Sequence, residues 1–180
     1  TRHLTARTDL GFTASQQRLC GYQEALHNAG LGYDTGLVRR GPHGAANAEA
    51  LAAALLALPD PPSAIFAASD TQAMGVLAAA DRVGRPVPGE LSVIGFDDIE
   101  SALLLGLSTV RQPLEDSGAE AARRLCALLR GEPIGPLRQQ LPLEVVHRSS
   151  TARLRGSGPL QDDAYVPDVT RMNAGAPGRT

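Results

Sequence analysis

The chain has 180 residues, 17 basic and 19 acidic side chains, and a formal net charge of −2, which suffices for one domain with its own core or two small lobes. Its basic residues are scattered from Arg2 to Arg179 with no stripe that could neutralise phosphates, which argues against nucleic-acid binding by this chain. All of them are Arg, so Schiff-base lysine chemistry and a P-loop lysine are excluded, and no run approaches the ~18 apolar residues that span a bilayer.

In chain order, His3-Leu4-Thr5-Ala6 reads as the end of a strand. Ser15 suits the N-cap of a helix reaching His27, with Leu19, Tyr22, Ala25 and Leu26 at helical spacing and Gly30 as its stop. Leu37-Val38 is a short strand candidate, and the Ala/Leu-rich segment 45–58 is helical up to Pro59. A buried strand is predicted over 64–68, a helix over 71–83 stopped by Gly84, and a second buried strand over 91–96. Wholly apolar strands separated by helices indicate a parallel sheet covered on both faces. Then follow a loop over 99–108, an extended Thr109-Val110-Arg111, a helix over 114–130 ended by Gly131, and a strand over 140–147. From about Ser149 the composition turns to Gly, Pro, Ser, Arg and Asp, and residues 151–180 read as a disordered tail. Cys20 and Cys126 are expected to be buried thiols of a reducing cytoplasm rather than a disulfide.

Ligands of open parallel sheets bind beyond the carboxyl ends of the strands. Two polar corners fall there: Ser69-Asp70 after AIFAA, and Asp97-Asp98 after LSVIGF. Asp70 precedes a helix and suits its N-cap, which leaves Ser69 at the strand tip to face a ligand. Asp97-Asp98 reads either as a turn or as a carboxylate site; adjacent carboxylates in a turn seldom converge on one atom, which argues against acid–base catalysis. His3, His27, His43 and His147 lack metal-ligand spacing, and Gly156-Ser157-Gly158 lacks the strand–turn–helix context of a nucleophile elbow. The residues read as a binder, not an enzyme, with no cofactor.

Four segments together resemble the effector domain of LacI/GalR-family transcriptional regulators: RLCGY with EAL behind it, AIFAASDTQAMGVLAAADRVGRPVPGELSVIGFDD, LSTVRQP and LPLEVVHRSS. The resemblance covers residues 3–151 with order and spacing kept. It implies an α/β, periplasmic-binding-protein-like type I fold, with parallel sheets flanked by helices and a sugar or sugar phosphate held between two lobes. Residues 1–150 would then form a partial effector-binding domain, 3–108 the C-terminal lobe and 112–135 a helix crossing to the other lobe. The remainder of that lobe, and a helix-turn-helix through which the protein binds DNA, would precede Thr1.

Position by position, the resemblance assigns Arg18 to the cleft arginine and Ser69 to a ligand-contacting position where the family often has Asn. It makes Asp97 the carboxylate that accepts from sugar hydroxyls, Gln112 a residue at the cleft edge, and His43 the replacement for an aromatic platform. Without it, Arg18 reads as a surface helix residue. Phe96 is either a further platform or part of the core. The implied protein is a cytoplasmic homodimer with no membrane contact, its dimer surface drawn from 74–80 and 99–106. The alternative is a periplasmic sugar-binding protein of a transporter.

Overall fold

The computed structural model describes residues 13–153; the predicted strand at His3–Ala6 and the tail beyond 153 lie outside them. Helix α1 spans Thr13–Asn28, so Ser15 lies within its first turn rather than capping it. Gly30 ends it as expected: at φ 68° its amide bonds His27 O and the Leu31 amide bonds Leu26 O, an arrangement open to glycine without a Cβ penalty. Tyr22 of α1 meets Tyr33 edge-on at 6.4 Å between ring centroids. The predicted strand at Leu37-Val38 is instead a single 3-10 turn, Thr35–Leu37. The Asp34 carboxylate accepts from the Gly36 amide at 2.7 Å, so a local side-chain bond overrides the apolar pair.

Helix α2 (Ala45–Leu56), strand β1 (Ala64–Phe66), helix α3 (Asp70–Arg82) and strand β2 (Ser92–Ile94) form the predicted β–α–β unit, with β1 and β2 parallel and Ile65 opposite Val93. After β2 the predicted loop contains a short helix, α4 (Glu100–Leu104). Strand β3 (Thr109–Arg111) lies alongside the end of β2 through parallel bridges at Ile94–Ser108 and Asp97–Arg111. Helix α5 (Leu114–Leu129) follows, and strand β4 (Glu144–Val146) returns antiparallel to β3.

The core is built mostly from small side chains: Ala52, Ala67, Ala73, Val76, Ala79, Ala80, Leu91, Val93, Ala102 and Leu107. Small residues let α2 and α3 approach closely. A Cβ at Gly75 would stand 2.8 Å from the Glu49 amide and would also overlap Ala45 O, so the α2–α3 spacing depends on this glycine. The strands are less enclosed than their composition suggests, for Ala64 and Phe66 on β1 are exposed while Val93 on β2 is fully buried. The alternation means that the described residues fill one face of this pair. Leu125, Leu128 and Leu129 of α5 are likewise exposed.

The chain after β4 is held where the tail was expected to begin. Ser150 is buried; its hydroxyl donates to Val93 O at 2.6 Å and accepts from the Ser108 amide at 2.8 Å, and its carbonyl accepts from Val93 N. Thr151 and Ala152 continue the attachment through Ser108 Oγ and Ser92 Oγ. Cys20 and Cys126 are free thiols, as expected, but both are exposed rather than buried. Among the described residues no helix is long and apolar enough to cross a membrane.

Candidate functional site

The first corner forms where β1 gives way to α3, and the cap falls to Ser69 rather than to Asp70. Ser69, in extended conformation (φ −155°, ψ 161°), is the N-cap: its Oγ accepts from the Gln72 amide at 3.2 Å. Asp70 is the first helical residue and is fully buried. Its Oδ1 accepts from Thr109 Oγ1 at 2.6 Å and its Oδ2 from the Ile99 amide at 2.9 Å, while its own amide donates to Phe96 O at 2.7 Å. The predicted capping carboxylate is therefore a tie between α3, the loop after β2, and β3. Gly95 makes room for it, since a Cβ there would collide with Asp70 Oδ1.

The second corner, after β2, has two consecutive non-glycine residues in left-handed backbone, Asp97 at φ 120° and Asp98 at φ 59°. The Asp97 amide donates to Val110 O at 2.9 Å, and Gln112 Nε2 donates to Asp97 Oδ1 at 2.6 Å. A carboxylate has about four acceptor positions, so the amide leaves capacity for further donors. Asp98 turns the other way. Arg111 Nε donates to its Oδ2 and Arg148 Nη2 to its Oδ1, each at 2.6 Å, and Arg111 also reaches Glu144 at 2.9 Å. Burial pushes the Asp98 carboxyl up, but the hydrogen bonds and charges of Arg148 and Arg111 outweigh it and hold the group below the usual carboxylate range. Asp98 in turn raises the pKa of Arg111.

The third component arrives from α1. Arg18 Nη1 donates to Ala68 O at 3.1 Å, and its guanidinium lies 3.9 Å from the centroid of the Phe96 ring. The cation is thus fixed between the exits of β1 and β2. Phe96 is 8% exposed, which agrees with the core reading offered for it, and its ring underlies the Arg18 guanidinium.

Four of the five predicted site residues, Arg18, Ser69, Asp97 and Gln112, therefore converge on the carboxyl ends of β1, β2 and β3. His43 stands exposed on the loop before α2, its carbonyl accepting from Asn47 Nδ2 at 3.4 Å. Shallow depressions among the described residues lie elsewhere, one lined by Leu77, Asp81 and Val87, another by Ser63, Glu90, Ser92 and Thr151. Among the described residues no cluster of His, Cys, Asp or Glu is placed to hold a metal ion. Guanidinium, carboxylate and amide groups against an aromatic face recognise ligands by directed hydrogen bonds. Sequence reasoning missed the partnership of Asp98 with Arg111 and Arg148. Its only trace was the adjacency of Asp98 to Asp97, for neither arginine is near it in the chain.

A short α/β lobe with a hydrogen-bonding corner at its strand ends defines a ligand-binding class of protein. Within that class, residues 3–151 match the periplasmic binding protein-like domain family, and the chain belongs to this family, in the form found in LacI-family regulators. It is 36% identical over 139 residues to the HTH-type transcriptional repressor CytR of Escherichia coli K12, covering 76% of this chain and 41% of that protein. It is 31% identical over 141 residues to the ribose operon repressor of Bacillus subtilis, covering 77% of this chain and 43% of the repressor. Among solved structures, the transcriptional regulator CelR in complex with cellobiose superposes with a TM-score of 0.68 at 38% identity, over 74% of this chain and 41% of CelR. The chain thus spans about two fifths of the length of these curated relatives.

Proposed function

We propose that this chain is the ligand-sensing part of a LacI-type transcriptional regulator, binding a sugar or sugar phosphate and passing its occupancy to a DNA-binding unit. The observation that carries this reading is the convergence of Arg18, Ser69, Asp97 and Gln112 on one end of the sheet. Asp97 offers acceptors for sugar hydroxyls, Gln112 steadies that carboxylate and adds an amide oxygen, and Arg18 offers the donors that Ala68 O does not use. Ser69 contributes the cap of α3, and its hydroxyl lies at the margin of the group. The CelR–cellobiose complex supports a carbohydrate as ligand, and the repressors among the relatives support a non-enzymatic role.

The mechanism follows from linkage. An effector that binds the closed form of a two-lobed domain more tightly than the open form shifts the population by the ratio of its affinities for the two. In a homodimer with helix-turn-helix headpieces, such a shift would move the headpieces relative to their operator half-sites. Calorimetric titration of the full-length protein with D-ribose, D-glucose, D-galactose, cellobiose and the hexose 6-phosphates tests the reading. Binding of one of them, weakened in both Asp97→Ala and Arg18→Ala, is the expected result. Unchanged affinity in both variants removes the site assignment.

A further inference from the structure

The corner that presents Asp97 is built in an unusual way. Residues 97 and 98 both adopt positive φ, and φ 120° at Asp97 lies beyond even the left-handed helical region that Asp and Asn tolerate. A turn needing only that backbone would be met more easily by glycine. Here side chains are retained, so the surroundings must hold the strained conformation. Three anchors do this. The Asp97 amide is tied to Val110 O, the Ile99 amide to Asp70 Oδ2, and between them Asp98 is clamped by Arg111 and Arg148.

The clamp spans separate parts of the chain. Arg111 ends β3, immediately before Gln112, the residue that bonds Asp97. Arg148 follows β4, and its Nη1 also donates to Leu107 O at 2.8 Å, so its guanidinium is fixed on two sides. The Asp98 and Arg148 side chains are only 8% and 13% exposed, which protects this pair from solvent. The first carboxylate of the pair thus faces the binding corner while the second grips the strands behind it.

We propose that Asp98 is a positioning residue for ligand recognition: by gripping Arg111 and Arg148 it holds the 97–98 backbone so that the Asp97 carboxylate and the Gln112 amide meet. This rests on the proposed site reading only insofar as Asp97 contacts ligand; the positioning itself is a property of the chain alone. Asp98→Asn keeps size and tolerance of left-handed backbone but loses the charge that both arginines need.

The test has two independent readouts on the full-length protein. The first is the Gln112 side-chain amide, followed by selective ¹⁵N labelling and NMR. In Asp98→Asn its proton resonances should shift upfield and lose protection from exchange. A control in the core away from the clamp, Val76→Ala, should leave them in place. Were the Asp98→Asn spectrum to keep the Gln112 amide where it was, the proposal would be overturned.

The second is a double-mutant cycle of Asp97→Asn and Asp98→Asn, read with the carbohydrate of the panel that the unmodified protein binds. Asp98→Asn should weaken binding about tenfold with Asp97 present and less than about twofold in the Asp97→Asn background. Equal factors in both backgrounds would show a merely structural effect and overturn the positioning role. No loss on Asp97→Asn alone would instead overturn the site reading, while the Gln112 readout still decides the positioning. Should Asp98→Asn fail to fold, Arg111→Gln removes one grip at an exposed side chain, and the same Gln112 shift in smaller measure is expected.

Discussion

Thr109 Oγ1 donates a 2.6 Å hydrogen bond to Oδ1 of Asp70 in a place where both residues have no solvent exposure. Three elements meet in this contact: α3 through Asp70, the loop after β2 through the Ile99 amide, and β3 through Thr109. Buried polar groups weigh most when one partner is removed, because the other is left without a hydrogen bond.

Thr109→Val keeps the shape of the side chain but removes the donor, and should cost about 1–3 kcal/mol. Asp70→Ala deprives both Thr109 Oγ1 and the Ile99 amide, and should cost more, about 2–4 kcal/mol. Urea denaturation of the two variants gives the order directly. A smaller loss for Asp70→Ala than for Thr109→Val would show that the carboxylate is not what ties these elements.

This contact also marks the limit of what could be read from sequence. The β–α–β unit was legible because short apolar runs and long helical ones alternate between Pro59 and Phe96. So were the helix stops at Gly30, Gly84 and Gly131, which all have positive φ. The division of labour between Ser69 and Asp70 was not, because either residue can cap a helix. Which one does depends on what waits 39 positions away at Thr109. The 3-10 turn at Thr35–Leu37 was missed for a local reason, the Asp34 carboxylate bonding Gly36. The burial of Ser150 was missed because a polar run of chain gives no sign that it completes a sheet edge. At the candidate site, Ser69 and Asp97 were singled out by their places after apolar strands and Arg18 and Gln112 by the family resemblance, whereas the Asp97–Gln112 bond and the seat of Arg18 on Phe96 came from the fold.

Gly75→Ala separates helix propensity from packing. In an exposed helix the change would favour the helix by about 1 kcal/mol. Here the added methyl meets the backbone of α2 at Ala45 and Glu49, which cannot rotate away as a side chain could. The overpacking term should win, with a net loss of about 1–3 kcal/mol. A raised urea midpoint would mean that α2 shifts at little cost.

Ser69→Ala should lose about 1 kcal/mol through the missing cap on Gln72, whereas Ser69→Asn, also a good N-cap, should keep most of it. Chemical denaturation of both variants checks this. Titration with the carbohydrate that the parent protein binds then asks a separate question: affinity altered by Ser69→Asn at unchanged stability would assign the hydroxyl a role beyond the cap.

Asp98 makes stability depend on acidity. Its carboxyl titrates below the usual range in the folded chain, because the two arginines outweigh its burial. As pH falls, the unfolded chain therefore takes up this proton first. The contribution is complete above roughly pH 5 and is lost as pH falls through about 4 towards the folded-state value. Asp98→Asn should flatten that part of the curve of urea midpoint against pH, while lowering the plateau near neutrality by about 2 kcal/mol as Arg148 loses its buried partner. An unchanged slope below pH ~4 would show that other carboxylates carry the acid response.

Arg18 and Phe96 give the most specific prediction for recognition. The guanidinium is planar, and here it combines a hydrogen bond to Ala68 O with a stack on the ring of Phe96. Lysine keeps the charge but has neither the fork nor the flat face. Arg18→Lys should therefore weaken binding of the panel carbohydrate about tenfold, whereas global stability changes by less than about 1 kcal/mol, the usual size of a cation–π contact at a partly exposed site. Phe96→Leu keeps an apolar side chain but lets the guanidinium wander, so its effect on binding should be smaller than that of Arg18→Lys and in the same direction. Calorimetry of the three proteins measures this series. Affinity kept within about twofold in Arg18→Lys would mean that charge alone matters at this position, and that the stacked geometry is a packing detail of α1.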